Sequence, residues 1–232
     1  MKIRAIKTKI FRPGDDLFIF INKYLPRPSE KSILVVTSKI VALAEGRIAE
    51  KTSEAAKEKI IRLESDFVLP TKQVYLTIKD GLVMANAGVD ESNGNGKIIL
   101  LPRDSFSSAQ ALRNYFKQKY KLKNFGVIIT DSRCLPLRAG VVGVALGYAG
   151  FKGLKNYQGR PDIFGRLFKY ARVDVADSLA AAAVLVMGEG KEKQPLVIIS
   201  GAPVKYTNRL NRNELKIDIK EDIYGPLFRI IK

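Results

Sequence analysis

Histidine and tryptophan are both absent from this chain of 232 residues, and Cys134 is its one cysteine. One cysteine excludes an internal disulfide framework, and the lack of histidine excludes a cysteine–histidine pair and a zinc cluster of ordinary composition. Any bound metal must therefore rest on oxygen ligands, which favour hard cations such as Mg²⁺ or Mn²⁺. These absences suit a protein of the reducing cytoplasm.

The usual signatures of phosphate binding and of membrane insertion are missing too. The sequence contains neither a P-loop motif nor the glycine pattern of a Rossmann nucleotide fold, so these two common folds are not expected. The spaced glycines of 147–153 are weak evidence for a phosphate-binding loop, because such glycines more often mark turns or close backbone packing. The longest apolar stretches, 139–151 and 179–188, are shorter than the roughly twenty residues that cross a bilayer. The alternating residues 1–7 predict a strand and not a secretory signal.

Positive charge is abundant, with 40 Lys and Arg against 23 Asp and Glu and a formal net charge of +17. Such a charge attracts polyanions, which include nucleic acid, nucleotides and anionic metabolites. The densest basic run, 116–123, ends a predicted helix, where lysines favour the helix dipole. We interpret it as a solvated helix end, with a nucleic-acid patch as the alternative.

Strand and helix patterns mix along the chain without strict alternation, which predicts an α+β (mixed α/β) fold with mixed sheets and flanking helices. We expect one domain over 1–232, with two intertwined lobes as the alternative. A buried strand is predicted over 32–39, with a hairpin around an Asp-Gly turn at 80–81. Asp104 is expected to cap a helix. The other predicted segments are helices at 52–67 and 173–187, strands at 98–101, 125–130 and 197–200, and an extended region at 140–150.

Two acidic segments each set a carboxylate after an apolar run. Asp90 follows the predicted hairpin, Asp131 with Ser132 follows the strand at 125–130, and Glu189 lies in the loop after the alanine-rich helix. Together these oxygens suit one or two Mg²⁺ or Mn²⁺ ions, because phosphate and water oxygens complete the shell of such ions. Alternatively, the two aspartates cap turns or helix starts. Their spacing does not decide between these interpretations.

Several longer motifs resemble one family, the coenzyme F420:L-glutamate ligases, in the family's order and over most of the chain. The matching segments are 35–41 (VVTSKIV), 44–47 (AEGR), 85–93 (ANAGVDESN), 129–132 (ITDS), 136–138 (PLR), 159–166 (GRPDIFGR), 175–183 (VADSLAAAA) and 187–189 (MGE). The resemblance implies a GTP-dependent amide ligase that joins L-glutamate to the carboxylate of a phospholactyl deazaflavin. It also implies divalent metal and an intertwined homodimer.

The same resemblance assigns roles to individual residues. Asp90 and Asp131 would hold one ion, and Ser132 and Glu189 a second. Arg138 and Arg166 are candidate anchors for an anionic substrate, with a surface ion pair as the alternative. The residues that would contact the nucleotide are Ser38, Lys39, Asn93, Met187, Gly188 and Gly190, within a lining loop at 187–194.

The chain departs from this family at three places, one of which is 77–81 (TIKDG), where the surroundings of the first metal ligand differ. Leu43 stands where a lysine is common, which opens ATP as an alternative to GTP. Residues 133–137 (RCLPL) replace a stretch that commonly contains glycine, arginine and tryptophan, so the acceptor could be folate-like. Two other functions remain open: a nucleotide-binding protein without ligase activity and, less favoured, a basic nucleic-acid binder.

Overall fold

The computed structural model describes residues 1–92, 94 and 96–228 of the chain. In chain order the elements are β1 (Lys2–Ile6), α1 (Leu17–Tyr24), β2 (Ser32–Thr37), α2 (Ser38–Ala44), β3 (Ile48–Glu50), α3 (Glu54–Leu63), β4 (Phe67–Pro70), β5 (Tyr75–Lys79), β6 (Leu82–Ala85), a 3-10 turn (Asn86–Gly88), β7 (Lys97–Ile99), α4 (Ser105–Lys119), β8 (Phe125–Cys134), β9 (Val141–Ala149), β10 (Leu154–Asn156), β11 (Arg172–Asp174), α5 (Val175–Met187), β12 (Leu196–Ser200) and α6 (Gly225–Phe228).

The chain divides into two compact units. The main unit comprises Met1–Arg47 and Leu101–Arg212, and the small unit comprises Ile48–Leu100 and Asn213–Lys232. These two units leave open whether residues 1–232 form one ligase-like domain, which stays a prediction.

The main unit is built on a five-stranded mixed sheet in the order β1-β12-β2-β8-β9. Within the described residues, β2 and β8 are the one parallel pair of this sheet, and its other neighbours are antiparallel. The central strand β2 is fully buried from Ile33 to Val36, as its run of branched apolar residues predicts. The α+β prediction is confirmed, and the arrangement is neither a Rossmann nor a P-loop fold.

Glycines in β9 allow the helices α4 and α5 to approach the sheet closely. A Cβ on Gly147 would lie 2.4 Å from the backbone of Ser105 at the start of α4. A Cβ on Gly143 would lie 2.5 Å from the carbonyl oxygen of Ala180 in α5. The glycines at these two positions are therefore packing residues, because any side chain there would displace a helix.

Aspartates begin both of these helices. Asp104 accepts a hydrogen bond from the Ser107 N–H at 2.9 Å, which confirms the predicted cap of α4. Asp174 accepts from the Asp177 N–H at 2.9 Å in the same way at α5. At the other end of α4, Lys117 and Lys119 lie in the last turn, as predicted for the basic run.

The small unit contains the sheet β4-β5-β6, the pair β3-β7 and helix α3. The predicted Asp-Gly turn joins β5 to β6, and both of its residues have positive φ, 54° at Asp80 and 83° at Gly81. Buried side chains of Ile61, Ala87, Val89 and Ile98 form a cluster in this unit. Because Ala87 and Val89 precede Asp90 and Ile98 follows it, this cluster holds the backbone on both sides of Asp90.

The predicted strand at 32–39 extends two residues too far. Strand β2 ends at Thr37, and Ser38 and Lys39 form the start of helix α2. Both residues are tolerated in a first helical turn, and the apolar residues that follow continue at helical spacing to the buried Leu43.

Candidate functional site

Two adjacent parallel strands bring four of the predicted site residues to one edge of the main sheet. The register pairs Thr37 of β2 with Thr130 of β8. Ser38 and Lys39 directly follow Thr37, and Asp131 and Ser132 directly follow Thr130. The parallel pairing ends at this register, although β8 continues to Cys134 in its pairing with β9. Ligands commonly collect beyond the point where parallel strands end.

Glu189 reaches this edge from the loop after α5. The Ser132 hydroxyl donates a hydrogen bond to the Glu189 carboxylate, with 3.4 Å between Oγ and Oε2. Ser132 pairs with Gly143 on β9, and α5 packs against that glycine. The absence of a side chain at Gly143 thus permits the helix to deliver Glu189 to Ser132.

The loop at 187–194 is held by hydrogen bonds at both of its ends and by one from Gly190 to the side chain of Glu192. Met187 is 3% exposed, and Gly188 ends α5 with a φ of 77° while its N–H donates to the Val184 carbonyl. The N–H of Gly190 donates to Glu192 at 2.8 Å. Just beyond the loop, the Pro195 carbonyl accepts from the N–H of Thr37, which joins the loop to the end of β2.

Asp90 belongs to the small unit. Its backbone exchanges two hydrogen bonds with Ile99, and its carboxylate accepts from both the N–H and the hydroxyl of Ser92, at 2.7 Å and 2.9 Å. These bonds fix the orientation of the carboxylate. The predicted ion shared by Asp90 and Asp131 stays a prediction, and Asn93 lies outside the described residues.

The 3-10 turn at Asn86–Gly88, just before Asp90, is held by the buried hydroxyl of Thr77. Thr77 is fully buried, donates to the Met84 carbonyl at 2.8 Å and accepts from the Ala87 N–H at 2.8 Å. Ala87 has a φ of 55°, a conformation that an alanine adopts only when its surroundings impose it. In the sequence Thr77 is only the first residue of a divergent stretch, and no local signal indicates its role in this turn.

Among residues 1–92, 94 and 96–228, no three acidic or cysteine side chains gather into a group that could hold a metal ion. Of the four predicted metal ligands, Ser132 and Glu189 contact each other. Their chemistry, a hydroxyl and a carboxylate oxygen, fits a hard divalent cation that takes its remaining ligands from water or phosphate.

The two candidate anchors, Arg138 and Arg166, are exposed. Arg138 follows Leu137, which has a φ of 56°, and the backbone of Arg166 is held by Asp162 at 2.9 Å. Within the described part of the chain, neither guanidinium has an ion-pair partner. The surface ion pair considered from the sequence is therefore not formed there.

The divergent segment after Ser132 begins with an ion pair. Arg133 contacts Asp177 in the first turn of α5, with 3.4 Å between Nη2 and Oδ2. Burial raises the pKa of Asp177, although the hydrogen bond from the Ala145 N–H and the charge of Arg133 act in the opposite direction. Burial also raises the pKa of the neighbouring Asp174, to about 6. The other divergent position, Leu43, is 9% exposed in α2 and belongs to the core.

Asp174 and Asp177 were not among the candidate residues from the sequence. The spacing of an acid three residues after a capping aspartate signals a helix start, but it does not reveal that Asp177 also contacts β8 and β9.

Comparison with known proteins decides the family. The family model described as F420-0:Gamma-glutamyl ligase matches residues 5–201, most of the chain. The chain belongs to this family. Membership of the ligase family confirms the resemblance seen in the motifs.

Individual relatives agree with this assignment. A protein of Methanopyrus kandleri named coenzyme F420:L-glutamate ligase is 36% identical over 215 residues, which cover 82% of each chain. Its namesake from Archaeoglobus fulgidus is 38% identical over 213 residues, covering 84% of this chain and 85% of the relative. Another, from Methanococcus maripaludis strain C7, is 34% identical over an alignment that covers 97% of both.

Among the helices of the described residues, none is both long and apolar enough to cross a bilayer.

Proposed function

We propose that this protein is an amide ligase that joins the amine of L-glutamate to a carboxylate acceptor at the expense of a nucleotide. The observation that carries the proposal is the contact of Ser132 with Glu189, at the sheet edge where Ser38 and Lys39 begin α2. Family membership supports the reaction class, because the relatives are named glutamate ligases.

The proposed chemistry suits a chain without histidine. A carboxylate becomes a good electrophile when it is phosphorylated, and phosphoryl transfer depends mainly on positioning and on neutralised charge. The glutamate amine, in its deprotonated form, then attacks the acyl carbon: the C–N bond forms as the C–O bond to phosphate breaks, and the leaving phosphate or water takes the amine proton. No protein nucleophile is needed in either step, so oxygen ligands and cationic side chains suffice.

Four residues would hold two Mg²⁺ or Mn²⁺ ions. Asp90 and Asp131 would bind the first ion, and Ser132 and Glu189 the second. Such ions neutralise phosphate charge when they are bound. The residues themselves supply hard oxygen donors, and the Ser92 bonds keep the Asp90 carboxylate in a single orientation.

The nucleotide would lie against the start of α2 and the loop at 187–194. Lys39 would add positive charge near the phosphates, and Ser38 would offer a hydroxyl. The remaining proposed contacts are Asn93, Met187, Gly188 and Gly190. GTP is the first candidate and ATP the alternative, because the buried Leu43 offers no charge to a phosphate.

Arg138 and Arg166 would hold the anionic acceptor. A guanidinium binds a carboxylate or phosphate through two parallel hydrogen bonds, and both of these side chains are exposed. We propose coenzyme F420-0 as the acceptor, with a related γ-glutamyl acceptor such as folate as the alternative.

We also propose that the protein acts as a homodimer. The segment between β10 and β11 exposes large apolar side chains, including Ile163 at 91% and Phe164 at 87%. Exposed apolar groups of this size are typical of a surface that a partner covers.

The test incubates the purified protein with Mn²⁺ or Mg²⁺, GTP or ATP, L-glutamate, and either F420-0 or tetrahydrofolate. Mass spectrometry should detect an acceptor that has gained one or more glutamate residues. Comparing the two nucleotides and the two acceptors in parallel identifies the preferred pair.

The absence of a glutamyl adduct with every combination would overturn the proposal. In that case, stabilisation by nucleotide that requires metal would indicate a nucleotide-binding protein without ligase activity. Steeply salt-dependent binding of oligonucleotides would instead indicate a nucleic-acid binder.

A further inference from the structure

One carboxylate of α5 contacts two neighbouring strands beside the candidate site. Asp177 Oδ1 accepts a hydrogen bond from the Ala145 N–H of β9 at 2.9 Å. The other oxygen, Oδ2, is paired with Arg133 of β8 at 3.4 Å. A single side chain thus links the helix to both strands of the β8-β9 pair.

The hydrogen bond to Ala145 lies at an irregularity of the sheet. The register of β8 with β9 shifts between Ile129 and Thr130, so that Ile129 faces Gly147 whereas Thr130 faces Ala145. Such a bulge bends a strand and redirects the side chains that follow it. The Ala145 N–H donates to Asp177 of α5, so a residue outside the β8-β9 pair holds the shifted register in place.

The extra residue at this shift is Leu146 of β9. On β8, Asp131 and Ser132 follow Thr130 and pair with Val144 and Gly143. Ser132 contacts Glu189 just beyond the other end of α5. The helix therefore meets the same strand pair twice, at Asp177 near its start and through Glu189 after its end. The position of Ser132 relative to Glu189 depends on both of these contacts.

We infer that Asp177 is a positioning residue, whose hydrogen bond to Ala145 holds the bulged strand pair so that Ser132 stays against Glu189. The inference rests on the proposed function, since it assigns Asp177 to the support of the Ser132–Glu189 ion site. The Ala145 bond is the main contact because it is the shorter of the two. Arg133 supplies charge that compensates for the burial of the carboxylate.

The role goes beyond capping the helix. Asp174 already caps α5, and the Asp177 carboxylate is directed to the strands while its backbone N–H serves the cap. A helix-capping role alone would leave metal affinity unchanged in a folded variant.

The experiment measures Mn²⁺ binding to the wild-type protein and to two variants, Asp177→Ala and Asp177→Asn, from the EPR signal of free Mn²⁺. Loss of a residue that supports a metal ligand typically weakens binding about 10–100-fold, and we expect at least the lower value for Asp177→Ala. Asp177→Asn keeps an oxygen that accepts the Ala145 N–H, so its affinity should stay within about threefold of the wild type.

Hydrogen exchange gives a second readout that needs no metal. Peptides from Val141–Ala149 should exchange faster in Asp177→Ala and near the wild-type rate in Asp177→Asn. The control is Asp16→Asn, which removes an acidic charge at the start of α1 but keeps the oxygen that accepts from the Ile19 N–H, and it should change neither quantity.

A double-mutant cycle separates support of Ser132 from a general loss of stability. If Asp177 acts through Ser132, then Asp177→Ala should weaken Mn²⁺ binding much less in a Ser132→Ala background than in the wild type. Circular dichroism confirms that each variant is folded at the temperature of the titration.

The outcomes distinguish the inference from the function on which it rests. Equal Mn²⁺ affinity in the wild type and Asp177→Ala, or fully additive effects in the cycle, would overturn the positioning role alone. A wild-type protein that binds no Mn²⁺ would overturn the proposed ion site, and the positioning role with it.

Discussion

Two glutamates of one loop differ in what they contact. Glu189 accepts from the Ser132 hydroxyl, whereas Glu192 accepts from the Gly190 N–H within its own loop. If Glu189 is an ion ligand, Glu189→Gln removes a charged donor and should raise the Mn²⁺ concentration needed for half-maximal ligation at least about tenfold. Steady-state ligation rates against Mn²⁺ concentration measure this change.

Glu192→Gln is the matched control, because it makes the same chemical change three residues away and keeps an acceptor for Gly190. We expect a much smaller effect on the Mn²⁺ requirement. Equal effects of the two substitutions would show that the loop, and not the Glu189 carboxylate, determines metal dependence.

The raised pKa of Asp174 predicts a pH-dependent stability. Burial favours the neutral acid, so the folded protein holds this proton up to about pH 6, whereas the unfolded chain releases it near the ordinary aspartate pKa of 3.8. The folded state binds more protons in this window, and the contribution of Asp174 to stability therefore falls as the pH rises from about 4 to about 6.

Asp174→Asn isolates this effect, because asparagine is an equally good helix cap that does not ionise. We expect the unfolding free energy of wild type relative to Asp174→Asn to decrease between about pH 4 and pH 6 and to stay constant above about pH 7. Urea unfolding at several pH values provides the measurement. A difference that is constant throughout, or that grows with pH, would contradict the assigned direction.

At the scale of elements, the close packing of α5 against β9 requires a glycine at position 143. A Cβ at Gly143 would lie 2.5 Å from the Ala180 carbonyl oxygen and 2.6 Å from the Val184 side chain. Gly143→Ala must move the helix or the strand, so we expect a loss of about 1–3 kcal/mol in the free energy of unfolding, measured with urea.

Gly190→Ala is the stability control for that substitution. A Cβ there would meet only the end of the Glu192 side chain, at 3.3 Å, which can move aside. We expect its unfolding free energy to stay near that of the wild type. A similar loss in both variants would indicate that glycine-to-alanine changes act here without regard to the helix contact.

The turn before Asp90 offers a second test at this scale. Thr77→Val keeps the shape of the side chain but leaves the Met84 carbonyl and the Ala87 N–H without their buried partner. We expect this to destabilise the protein by about 1–3 kcal/mol, whereas Thr77→Ser, which keeps the hydroxyl, should cost less. Thermal unfolding of the two variants compares them directly, and a larger loss in Thr77→Ser would contradict the role of the hydroxyl.

At the scale of the whole molecule, light scattering coupled to size-exclusion chromatography tests the proposed homodimer. The expected mass is twice the 25.8 kDa of one chain. Replacing exposed Phe164 by Asp should shift the mass towards the monomer, because a charge is costly in an apolar interface. A wild-type mass of 25.8 kDa would contradict the proposal.

Local patterns predicted much of the fold. The apolar run of β2, the Asp-Gly hairpin and the cap at Asp104 were all recognisable, because each depends on a few adjacent residues. The switch from strand to helix at Ser38 is not apparent from the sequence, because α2 has only seven residues and its β-branched Ile40 and Val41 also favour a strand. Likewise, no local pattern indicates that the chain forms two compact units.

In the candidate site, too, features carried by adjacent residues are recognisable from the sequence, whereas long-range contacts are not. Motif resemblance selected Ser132 and Glu189, which do meet in the fold. It gives no role to Asp177, although Asp177 lies in the matching segment 175–183, and none to Thr77, because each acts through contacts with residues that are distant in sequence. Such contacts depend on strand register and helix packing, which the spacing of residues along one chain does not encode.

The position of β12 in the main sheet has a consequence for synthesis. β12 is hydrogen-bonded to both β1 and β2, although both strands emerge from the ribosome long before it. At ordinary translation rates the wait is on the order of ten seconds or more. Throughout that interval the apolar strand β2 has an open edge, so a nascent chain that stalls before Leu196 presents a surface prone to aggregation or to capture by chaperones.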